Sequence, residues 1–168
     1  MKKNLLMLLL LMPIITFSQS PFKAFENLIG GRWVTKGKWA MGKEFHQEKE
    51  HTWELTKRIM VVKTYDFIDA TKFDQSLRNY GIRAYDSLKN QINFYEFNAF
   101  NSMVNGKCRT EGNDIYFEYD YEMGNGKSMR LTDSWKFVDK DKYEYRVGVY
   151  KDGKWEQVYL STIYNRKM

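Results

Sequence analysis

Past residue 30 the chain alternates between apolar and polar positions. In 114–122, Ile115, Phe117, Tyr119 and Tyr121 fall on one parity, and Tyr116, Glu118, Asp120 and Glu122 on the other. A period of two is the mark of a strand, whose side chains point alternately to opposite faces. The same period runs through 44–55, where Phe45, Gln47, Lys49, His51, Trp53 and Leu55 share a parity. It recurs in 128–138 through Met129, Leu131, Asp133, Trp135 and Phe137, and in 142–150 through Tyr143, Tyr145, Val147 and Val149. The last segment is apolar on both parities, at Val158, Tyr159, Leu160 and Ile163, which predicts that something covers its outer face.

Turn signals separate these runs. Asn105-Gly106, Glu111-Gly112-Asn113-Asp114, Gly124-Asn125-Gly126 and Lys151-Asp152-Gly153-Lys154 carry the residues that tight hairpins favour. About ten strands follow, near 31–39, 44–55, 59–68, 79–86, 91–98, 101–110, 114–122, 128–138, 142–150 and 154–165. Asn105-Gly106 could instead mark a bulge or turn inside the sixth. Proline is absent after Pro21, as long paired strands require. Phe22, Phe25, Leu28 and Ile29 predict a short helix over 22–29, expected to cap one end of the fold and also a candidate cover for the last strand. The expected fold is all-β: an antiparallel meander closing into a barrel, because closure removes the exposed edges.

The first residues have a different grammar. Lys2 and Lys3 precede an uncharged apolar run from Leu5 to Ile15, followed by small residues that suit cleavage after Ser18 or, alternatively, after Ser20. This is the pattern of a secretory signal peptide over 1–18. The run is shorter than the roughly 20 residues a membrane-spanning helix needs. The remainder, 21–168, reads as one domain with no membrane insertion after cleavage, located in a periplasm or outside the cell.

Charge excludes some partners. The formal net charge is +6, and Lys2 and Lys3 supply two of those charges. The other lysines alternate with acids, as in Asp139-Lys140-Asp141-Lys142, which makes a mixed solvated surface and not a nucleic-acid stripe. Cys108 is the only cysteine, so no intramolecular disulfide forms, and burial is its expected state.

Leu28-Ile29-Gly30-Gly31-Arg32-Trp33 places a helical turn before Gly-x-Trp at the mouth of the first strand. This resembles the calycin superfamily of β-barrels, which includes lipocalins and fatty-acid-binding proteins. The resemblance implies a structural Trp33 packed under a late arginine, for which Arg166 is the match. Gly31-x-Trp33-x-x-x-Gly37 is similar to the start of nitrobindin-like haem barrels, but Thr35 replaces that pattern's middle glycine. The late histidine those proteins use has no counterpart, since the two histidines are His46 and His51. No cofactor is therefore expected. The chain also looks like secreted bacterial calycin-like domains with short motifs such as Gly81-Ile82-Arg83-Ala84-Tyr85-Asp86.

His46 and His51 fall on opposite faces of one strand, so no metal site is expected. No Gly-x-Ser-x-Gly elbow is present. Asp133 is the sharpest polar candidate, because it sits on an apolar parity between Leu131 and Trp135. A carboxylate there needs a partner or a proton. Arg83, Arg109 or Arg146 could pair it, or it could orient a ligand. His51 beside Trp53 poses the same choice. Parity predicts that His51, Trp53, Tyr119, Asp133 and Trp135 face one interior cavity. The leading expectation is a non-enzymatic barrel that binds a small apolar or aromatic molecule. The alternatives are a cavity enzyme of isomerase or hydrolase type using Asp133 and His51, and an envelope interaction protein with the barrel as scaffold.

Overall fold

The computed structural model describes residues 20–38, 42, 44–69, 72–124 and 126–167. The segment read as a signal peptide lies outside the described residues. Ten strands form one closed antiparallel barrel: β1 (Arg32–Lys38), β2 (Glu44–Glu54), β3 (Ile59–Asp69), β4 (Lys72–Asp86), β5 (Gln91–Asn98), β6 (Met103–Glu111), β7 (Asp114–Met123), β8 (Lys127–Asp139), β9 (Lys142–Lys151) and β10 (Lys154–Lys167). Each strand pairs with its chain neighbours, and β1 pairs with β10 to close the ring. The fold is the all-β meander barrel that the alternation predicts.

Three local expectations change. The fourth strand begins at Lys72, well before the expected position 79, because β4 continues along β3 past a register shift between Thr64 and Tyr65. Asn105-Gly106 is neither turn nor bulge. Both residues pair regularly, Asn105 with Tyr95 and Gly106 with Phe94 and Tyr119. The N-terminal segment closes one end of the barrel, but the expected cover over the last strand does not form: Val158 and Ile163 are exposed.

That segment is a 3-10 helix, Lys23–Leu28. Phe22, Ala24, Phe25 and Leu28 are buried by it, and Phe25 meets the ring of Phe117 at 6.4 Å. Burying a side chain such as Phe25 or Leu28 contributes roughly 1.5–3 kcal/mol. Trp33 lies fully buried beneath this plug and donates its indole N–H to the Leu28 carbonyl at 2.8 Å. The Arg166 guanidinium sits 4.3 Å from the centre of the Trp33 ring. It also donates to the carbonyls of Asn27, Ile29 and Gly30 and to the Asp141 carboxylate. One side chain thus ties the plug, the β8–β9 hairpin and the first strand together. Cys108 is buried, which pushes its thiol up to about 12.

Candidate functional site

Away from the plug, the inward faces of the strands enclose a cavity of about 440 Å³. It reaches the surface beside Tyr121, which is half exposed. Phe94, Phe117, Trp135 and Tyr145 form its walls, and Lys49, Arg83, Glu96 and Asp133 also line it. Two cations and two carboxylates therefore face an aromatic interior.

Asp133 enters from β8 on the inward parity expected for it. Its carboxylate accepts the Tyr119 hydroxyl at 2.9 Å on one oxygen and the Tyr145 hydroxyl at 2.8 Å on the other. Neither Arg83, Arg109 nor Arg146 is its partner. Arg109 and Arg146 are on outward parities, paired with Glu118 and Glu144, and Arg83 pairs with Glu96. Burial raises the Asp133 carboxyl to about 6, against the pull of the two phenols and of Lys49.

Lys49 enters from β2 and is buried. Its ammonium lies 4.4 Å from the Tyr145 ring centre, 4.7 Å from Tyr164 and 5.4 Å from Trp135. Aromatic faces attract a cation, which keeps the side chain in place. No carboxylate is ion-paired with it among the described residues. Desolvation lowers its pKa to about 8, with Glu96, Asp133 and Asp66 pulling upward and Arg83 pushing down.

Arg83 is buried and pairs with the Glu96 carboxylate. Its guanidinium lies 4.9 Å from the Phe117 ring centre and 5.6 Å from those of Phe94 and Trp135. The Nε and Nη1 atoms of Arg83 and Oε2 of Glu96 have no protein partner. Gly81, directly across β4–β5 from Glu96, makes the pair possible, because a Cβ there would overlap Arg83 Nη1 and both Glu96 oxygens.

Of the five residues expected to share a cavity, Tyr119, Asp133 and Trp135 line it. His51 and Trp53 are inside the barrel but nearer the plug. His51 meets Trp135 edge-on at 5.4 Å on the far side from the cavity, and Trp53 packs on Phe22 at 5.4 Å. Parity places a residue on a face, not at a height along the barrel axis, so the two ends of the interior look alike in sequence. His51 is 2% exposed and neither ring nitrogen has a partner. Burial holds its imidazole well below the ordinary range, and the charges on Lys49, Arg83 and Arg166 add to this.

Lys49, Arg83, Glu96 and Tyr145 also line the cavity and are not among the five residues that parity places in it. The available signal was clearest for Glu96, two residues after Phe94; Lys49 shares its parity with Phe45 and Trp53 but lies between Gln47 and His51. No group of metal-ligating side chains occurs among the described residues, and no described helix is long and apolar enough to cross a membrane. No protein-family model matches the chain, and no curated protein matches it either.

Proposed function

We propose that this protein is an exported, calycin-like barrel that binds a small molecule with an aromatic or apolar body and a polar group. One observation carries the reading: Lys49, Arg83, Glu96 and Asp133 are collected around one cavity inside an aromatic core. A barrel built only for stability has no use for them, since each buried charge costs free energy and an apolar filling is often as stable. The volume fits, because small-molecule sites typically run about 300–1,000 Å³, with apolar walls and a few placed polar groups. The arrangement of Trp33, Arg166 and the plug supports the calycin-like reading. The first described core side chain is Phe22, so cleavage after Ser18 or Ser20 spares the buried side chains of the plug, and the earlier cut also keeps Ser20, which accepts the Phe22 and Lys23 N–H groups.

The test is titration with an apolar fluorescent dye, with tryptophan quenching as a second readout. Wild-type protein should bind one dye saturably. Val104→Trp and Val147→Trp place bulk on two walls of the cavity and should each abolish that binding while the barrel still melts cooperatively. Equal dye binding in the folded filled variants would show that the dye sits elsewhere and remove the support for an interior site.

A further inference from the structure

We infer that Lys49 captures small aromatic or conjugated aldehydes as a covalent imine inside the cavity. The inference rests on the ligand-binding reading above and adds a chemical class and a bond to it. Lys49 is the one lysine that lines the cavity among the described residues. It is held by three rings, from Trp135, Tyr145 and Tyr164, without an ion-paired carboxylate among the described residues. An amine without such a partner is free to react, and a desolvated lysine is the usual source of a nucleophilic amine. The rings suit the product as well as the reactant. The iminium that forms as water leaves is a cation, so the same aromatic faces attract it. Its substituent would lie against Phe94, Phe117 and Trp135, which favours a flat conjugated group over a saturated chain.

The bond changes balance without an added oxidant or reductant. The lone pair of neutral Lys49 Nζ adds to the carbonyl carbon, and the carbonyl π pair moves to oxygen. That oxygen takes a proton while nitrogen loses one, giving a carbinolamine. Protonation of the hydroxyl lets it leave as water, the nitrogen lone pair forms the C=N bond, and the remaining N–H proton returns to the donor. Asp133 lines the same cavity and is placed to supply and recover that proton, since a carboxyl near 6 is present in both forms at neutral pH. The net change is amine plus aldehyde to imine plus water. The charged and titratable groups around Lys49 are Asp133 on β8, Glu96 on β5, Arg83 on β4, Asp66 on β3 and His51 on β2, with the phenols of Tyr145 and Tyr164.

At pH 8 an amine with pKa about 8 is about half neutral, on the order of 100-fold more than an ordinary lysine. The test treats the wild-type protein with cinnamaldehyde and sodium cyanoborohydride at pH 8 and maps reduced adducts by peptide mass spectrometry. Lys49 should be labelled on the order of 100-fold faster than exposed lysines. Lys49→Arg, checked for its β circular dichroism, should lose the fast label and keep the slow surface labelling. Cinnamyl alcohol, which cannot form an imine, reports occupancy of the cavity by quenching tryptophan fluorescence. Alcohol binding with no enrichment of label at Lys49 would overturn the imine and leave the binding reading standing. Neither binding nor label would overturn both.

Discussion

Trp33 shows how one side chain serves two neighbours. Its indole N–H is used by Leu28 and its face by Arg166, so it leaves no polar atom stranded in the core. Trp33→Ala should cost roughly 3–5 kcal/mol, the range for deleting a large buried aromatic. Urea unfolding measures it, and an unchanged midpoint would mean that the Trp does not hold the plug. His51 is the opposite case, with both nitrogens buried and no partner for either. Its folded pKa lies below the unfolded value, so the fold disfavours the proton. The sign follows: stability is unaffected above about pH 6.5 and falls by about 1.4 kcal/mol per pH unit as pH drops below it, until the folded pKa is reached. Asp133, raised to about 6 from 3.8, works the other way and gains stability as pH falls through that window. The wild-type curve therefore mixes two opposed slopes. His51→Leu strands no hydrogen-bond partner, and the melting-temperature difference from wild type between pH 7 and pH 5 isolates the imidazole. The variant should gain on wild type as pH falls; a constant difference would show that His51 does not titrate in the fold.

At the scale of elements, two glycines separate shape from site. At Gly148 on β9 a Cβ would overlap the Gln157 carbonyl oxygen, which is backbone at the irregular β9–β10 pairing. At Gly81 its nearest neighbours would be the side-chain ends of Arg83 and Glu96. Backbone cannot swing aside and side-chain ends can. Gly148→Ala should therefore lower the melting temperature more than Gly81→Ala, whereas Gly81→Ala should push the ion pair into the cavity and weaken dye binding. The reverse ranking in thermal unfolding would refute this account of β9–β10. The strand ends themselves were legible because turn residues and period two mark them locally. The site was only partly legible. Asp133 stands out on an apolar parity, whereas Lys49, between Gln47 and His51, does not. Yet the phenols that bind Asp133 come from Tyr119 on β7 and Tyr145 on β9, and such partners depend on register between strands. The early start of β4 was hidden for a related reason: residues 72–78 are polar enough to read as loop, and it is pairing to β3 that holds them extended.

For the whole molecule, the proposed export sets where the chain should begin. Protein recovered from outside the cytoplasm should start at Gln19 or Pro21, because either cut spares the buried side chains of the plug from Phe22 onward. N-terminal sequencing decides it, and an intact Met1 on membrane-free protein would rule out processing. The seam between β1 and β10 has a consequence of its own. Among the described residues it joins the strands through three pairs, Arg32 with Lys167, Trp33 with Arg166 and Val34 with Asn165, whereas β1 and β2 share seven. It is also the one junction between strands distant in the chain. Bringing its sides together costs on the order of 4 kcal/mol in chain entropy before any contact repays it. Hairpins can therefore form in any order, but the ring shuts last. That makes the Trp33–Arg166 contact a latch on the kinetics of folding: losing it should mainly hasten reopening, leaving the pace at which the hairpins assemble untouched.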